Sequence, residues 1–191
     1  MTSRDTVALL ERWWSGSGER LGDRCRGLTD DELRWAPVEG AWNLVPDRAH
    51  PGGWSYPYDF DPDPPHPVTS IGWRLVHLTG DNEIYVEHAF GPGVRNFPDL
   101  PVHGTAGEVL ADWRASRQHV STWLGSAADA DLLEPRTSHL GDTRTAGEVI
   151  RILLDEQIHH GAEVALLRDL YLRIGAARTN QPVAAAPGVN A

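Results

Sequence analysis

The stretch "LLDEQIHHGAEVALLRDLY", residues 153–171, decides the fold, because it has the period of a helix and two residues unsuited to its apolar side. At about 100° per residue, Val149, Leu153, Val164, Leu167 and Tyr171 fall on one stripe. Glu156 and His160 fall inside that stripe, four residues apart, where Leu or Ala is expected. Burying a carboxylate and an imidazole costs several kcal/mol unless something compensates. The chain must supply that compensation.

Working outward, four segments carry helical periodicity: about Asp5 to Leu28, Thr69 to Phe90, Thr105 to Gly125 and Thr145 to Ile174. "TAGE" at 105–108 and again at 145–148 is Thr-x-x-Glu, a capping box at the start of a helix. The two copies continue differently, so they are one N-cap solution used twice rather than a repeat. Strand signals are weak throughout. Between the first two helices lies "APVEGAWNLVPDRAHPGGWSYPYDFDPDPPHP", residues 36–67, rich in Pro, Gly, Trp and Tyr. Connections this long in a compact domain are functional or mobile. Its aromatics predict a structured flap packed over something. "DFDPD" at 59–63 resembles the start of a calcium loop, but Pro64 takes the turn position that needs Gly and Ser70 the place of the bidentate Glu. The pattern predicts an all-α protein, a four-helix bundle with a long irregular crossover after helix 1, spanning residues 1–175. Residues 176–191 lack apolar periodicity and are expected to form a disordered tail.

Composition narrows the function. The 191 residues suffice for one domain with a substantial core. Net charge is −10, from 27 acidic and 17 basic residues, which gives no electrostatic footprint for nucleic acid or an anionic membrane. Every basic residue is Arg, so lysine Schiff-base chemistry and the P-loop lysine are excluded. Cys25 is the one cysteine; it can form neither an internal disulfide nor a thiolate cluster, and its place on the first helix suits a small apolar residue. The polar start "MTSRDT", with no apolar run near the ~18–20 residues of a membrane span, makes a cytoplasmic location the expectation.

Glu156 and His160 are neighbours on one helix face and can converge on one point. Carboxylate oxygen and imidazole nitrogen both ligate divalent metals, and a cation would remove the burial problem. A third ligand must come from a neighbouring helix. "TSIGWRLVHLTGDNEIYVEH", residues 69–88, offers His77, on a face with Trp73 and Ile84 apart from the main stripe of Ile71, Leu75, Leu78, Val86 and Ala89. A hydrogen-bonded core histidine and a buried Glu–His pair satisfy the same spacing. Asp81, one turn after His77, could hold that imidazole's other nitrogen or equally stand in solvent. His159 lies at the stripe's edge, as a supporting or packing residue, while Asp155 and Gln157 should face away from the site.

"LTDDELRWAP" (28–37), "VTSIGWRLVHLTGDNEIY" (68–85) and "TAGEVIRILLDEQIHHGAEVALLRDLY" (145–171) resemble the DinB/YfiT-like superfamily, especially its mycothiol-dependent isomerase and S-transferase branch. The likeness covers roughly residues 5–174. It implies a four-helix bundle, possible as a homodimer, with a divalent metal on His77, Glu156 and His160. Zinc is the leading expectation, with nickel, iron or manganese as the alternatives. Many relatives have His where this chain has Glu156; the isomerase branch has Glu. That isomerase carries a further C-terminal domain and this chain ends soon after its fourth helix, so the likeness does not imply its substrate.

Three protein ligands leave a metal at least one open position, the pattern of a catalytic site. The resemblance implies a low-molecular-weight thiol such as mycothiol there, attacking a small electrophilic substrate in an S-transfer or an isomerisation. Trp54, Tyr56, Tyr58 and Trp73 could wall the substrate pocket or simply pack. Two other readings fit the same triad: a metal-dependent hydrolase using water, and a non-enzymatic metal-binding or dimerisation module.

Overall fold

The computed structural model describes residues 3–175; the expected tail at 176–191 lies outside them. Four long helices form the bundle: α1 (Asp5–Arg24), α3 (Ile71–Phe90), α4 (Ala106–Ser126) and α5 (Ala146–Leu170), the last continued by a wider π turn at Tyr171–Gly175. Between α1 and α3 sits a short helix that the periodicity does not reveal, α2 (Asp30–Leu33). Four residues are too few to show a 3.6-residue period, but "TDDE" is a capping box, and Thr29 and Glu32 complete it. The buried Glu32 carboxylate also accepts a bond from Arg168 of α5 at 3.1 Å, tying α2 to the bundle.

The repeated "TAGE" caps both α4 and α5. Thr145 and Glu148 form the full reciprocal box, whereas Thr105 accepts from Glu108 N while its own hydroxyl bonds the Glu108 carboxylate at 2.6 Å. Ser70 caps α3 by accepting from Trp73 N. Two small antiparallel hairpins escape the sequence signals: β1 (Val45–Pro46) with β2 (Trp54–Ser55), and β3 (Pro135–Thr137) with β4 (Thr143–Thr145), which feeds directly into α5. Each strand is only two or three residues long, too short for alternation to register. Among the described residues, no helix is long and apolar enough to cross a membrane.

α5 packs between α1 and α3. It runs parallel to α1, since Trp14 lies beside Gln157 and Arg24 beside Ala165, and antiparallel to α3, since Arg74 meets Glu163 and His77 meets Glu156. Gln157 faces away from Glu156 and the site, as expected, and is fully buried against α1. Its amide donates to Trp14 O at 3.0 Å and Ser17 Oγ at 2.5 Å, and its oxygen accepts from Arg117 Nε at 2.6 Å. The Arg117 guanidinium lies between the rings of Trp14 and Trp113, 5.2 Å from each. It reaches them by crossing α1 at Gly18, where any Cβ would overlap it. Gln157→Leu should therefore cost about 2–3 kcal/mol, because Arg117 and Trp14 O lose buried partners that no apolar side chain replaces. Urea unfolding of the variant checks this, and metal content should stay at the parent level.

Candidate metal centre

α3 and α5 bring His77, Glu156 and His160 to one point. Glu156 Oε2 lies 3.0 Å from His160 Nε2 and 3.5 Å from His77 Nε2, and the three donor atoms are all within 4.8 Å of one another. Two ligand atoms at zinc-like distances of a tetrahedral ion are separated by about 3.3 Å. The donor set and its spacing thus fit one divalent cation. His160 is almost fully buried at 5% exposure, while the Glu156 side chain keeps 25%, so the cluster opens on one side.

The second nitrogen of His160 is also held. Its Nδ1 lies 2.6 Å from Glu163 Oε2, and Arg74 Nε of α3 pairs with the same carboxylate oxygen at 3.0 Å. A carboxylate on Nδ1 fixes the imidazole so that Nε2 faces Glu156, the usual support for a metal-binding histidine. Without a cation the same atoms form an ion-pair network. Burial opposes charge on both groups, yet hydrogen bonds from His160 and His77 pull Glu156 well below the usual carboxylate range, and bonds to Glu156 and Glu163 raise His160. Without a metal these bonds offset the burial cost that the apolar stripe poses; a bound cation would take over that role.

Neither Glu163 nor Arg74 stands out in the sequence. Both lie three residues from a candidate ligand on its own helix, His160 and His77 respectively, and that spacing is the signal that could have found them. His159, His160 and Glu163 form a second grouping of donor atoms. Arg74 Nη1 already stands 3.2 Å from His160 Nδ1 there, so a guanidinium holds the place a cation would take.

Asp81 does not hold the other nitrogen of His77. Its Oδ2 lies 3.3 Å from Nε2, the nitrogen that faces Glu156, because one helical turn carries both groups to the same side of the ring. Burial pushes its carboxyl up to about 6 against the pull of His77. His159 is half exposed; its Nδ1 bonds the Asp155 carbonyl at 3.0 Å and its ring packs 3.8 Å from that of His160, so it packs rather than orients. Asp155 faces solvent, as expected.

Three of the four pocket aromatics gather at the centre. Trp73 stacks on His77 at 5.0 Å and 26°, Tyr58 stacks on His77 at 5.9 Å and 26°, and Tyr56 stands edge-on to Trp73 at 6.1 Å. The Trp73 indole donates to Pro57 O at 2.7 Å, pinning the crossover onto α3 between the two tyrosines. Trp54 is elsewhere. It packs on the core against Gly104, with Arg34 over its ring. Phe60 is exposed.

A family model of the DinB superfamily matches residues 14–164, a span that contains every residue of the cluster. The chain belongs to the DinB superfamily. No curated protein and no solved structure matches it. Membership in the DinB superfamily accords with the helical bundle and with a His/Glu cluster that could hold a metal.

Proposed function

We propose that His77, Glu156 and His160 hold a divalent metal, and that the protein uses it with a low-molecular-weight thiol of the mycothiol kind to transfer that thiol to a small electrophile or to isomerise it. The observation that carries this reading is the convergence of two imidazole nitrogens and one carboxylate oxygen at spacings that fit a single ion. Such an ion, when bound, lowers the pKa of a thiol or water and so supplies a nucleophile at neutral pH.

The chain's own residues have distinct parts. Glu156 and the two imidazoles bind. Glu163 accepts a hydrogen bond from His160 Nδ1, which would leave the Nε2 lone pair for a bound metal. Trp73 and Tyr58 fix the plane of His77 and keep water from one side of it. Glu rather than His at position 156, as in the mycothiol-dependent isomerase branch, supports a thiol.

A further support is the character of Cys25. It is buried at 1% exposure, and burial pushes its thiol up to about 11, against the pull of Arg168. A thiol so held is no nucleophile near neutral pH. Cys25 should accordingly resist iodoacetamide in the folded protein at about pH 8 and react once denatured, and Cys25→Ser should leave conjugation unchanged. The direct test mixes zinc-loaded protein with a small thiol and chlorodinitrobenzene and follows the thioether by chromatography. Conjugate that depends on zinc is the expected result. Zinc-dependent ester hydrolysis that ignores added thiol would replace this reading with the hydrolase.

A further inference from the structure

Resting on the thiol-transfer reading, we propose that the cavity beside Tyr58 is the electrophile's site and that it selects a flat, uncharged, aromatic or conjugated molecule. The cavity encloses about 330 Å³ and is lined by His50, Ser55, Tyr56, Tyr58, Phe97 and Pro98. That volume is at the lower end of the range for small-molecule sites, and it calls for a compact ligand.

The wall nearest the metal centre is shared. Tyr58 lines the cavity and also stacks on His77, so a molecule lying against its ring is one residue away from the cluster. The other rings are set by the backbone. Gly80 follows His77 by one turn of α3, and a Cβ there would stand 3.1 Å from the Phe97 ring and 3.8 Å from the Tyr56 hydroxyl. Its absence lets both aromatics close down on the helix. Phe97 starts a 3₁₀ turn held by the Asn96–Asp99 capping bond at 2.8 Å, and its ring meets His139 edge-on at 5.6 Å.

Three aromatic faces and a proline favour a flat π-bearing partner. The lining holds no carboxylate and no arginine, so a charged ligand would give up hydration without an ion pair in return. Ser55, His50 and the hydroxyls of Tyr56 and Tyr58 are its polar groups, suited to a carbonyl or hydroxyl oxygen on the ligand's edge.

Equilibrium dialysis of the full chain with 2-naphthol, 2-naphthoate and cyclohexanol tests this, with and without zinc. Naphthol should bind in both states, and Phe97→Leu and Tyr58→Leu should each weaken it about tenfold while cyclohexanol and naphthoate bind poorly to the parent. Tyr58 is 56% exposed, so its variant keeps the test decisive if Phe97→Leu fails to fold. Unchanged naphthol binding in Tyr58→Leu and in any folded Phe97→Leu, or a preference for cyclohexanol or naphthoate, would overturn the proposal. Naphthol binding by a protein that takes up no zinc would instead sink the metal reading and leave the aromatic site standing. Thiol conjugation of an aliphatic electrophile, with no naphthol binding, would do the reverse.

Discussion

His160→Ala empties the centre of metal. Purified parent protein should carry about one equivalent of divalent ion by elemental analysis, and the variant little, because two remaining ligands form no three-donor site. The loss should exceed the 10–100-fold that removal of a supporting residue causes. The variant should still fold. Glu156 loses its 3.0 Å partner, but its side chain is 25% exposed and can recover water. His77 stays wedged beside Trp73, so the helix interface keeps its packing. Equal metal in parent and variant would refute the assignment, since no other arrangement of His77 and Glu156 alone would hold an ion as tightly.

Much of this centre was legible in the sequence because its residues break a pattern. An amphipathic stripe that contains Glu156 and His160 announces a burial problem, and the i, i+4 spacing says that both groups meet it together. His77 was legible for the opposite reason: it lies off the main stripe of its helix, on a second face that a bundle also buries. The four long helices and two of their N-caps follow from periodicity and from Thr and Glu at the right offsets; the Ser70 cap of α3 was not read from the sequence. The cap of α1 does not follow either, because a distant acid supplies it: Asp129 accepts from Val7 N at 3.0 Å across the bundle.

What could not be read depends on which atom faces which. The sequence leaves Asp81 either on the other nitrogen of His77 or solvated, and only coordinates show both carboxylates on Nε2. Gln157 does face away from the site, but its burial was not legible: the helix buries a second face against α1, where the amide is bonded. The crossover is a structured flap, as its aromatics predict, and it is packed into the core. Gly52 lies against the backbone of Val102 and Trp54 against Gly104, so excising residues 52–62 would open the core along with any lid. Point changes at Tyr58 are the sharper probe.

The second large effect is expected at Glu163, and Arg74 gives it a direction. In the metal-free parent His160 bonds Glu163 through Nδ1 at 2.6 Å and Glu156 through Nε2 at 3.0 Å; with a cation bound, the Nδ1 proton would stay on the Glu163 side and the Nε2 lone pair would be free for the ion. Arg74 Nη1 stands 3.2 Å from the same Nδ1, and a guanidinium can only donate. Glu163→Ala removes the acceptor and leaves the donor. The neutral imidazole then gains by accepting at Nδ1 from Arg74 and carrying its proton on Nε2, the wrong tautomer for binding a cation. Zinc affinity, measured by competition with a chromogenic chelator, should fall toward the upper end of 10–100-fold. Glu163→Gln keeps an oxygen that can accept from Nδ1 and should lose less. Arg74→Ala in the Glu163→Ala background should recover part of the affinity, because it removes the competing donor and a nearby positive charge. A double variant that binds zinc more weakly than Glu163→Ala alone would show that Arg74 supports the centre by packing on Trp73 rather than by opposing the tautomer.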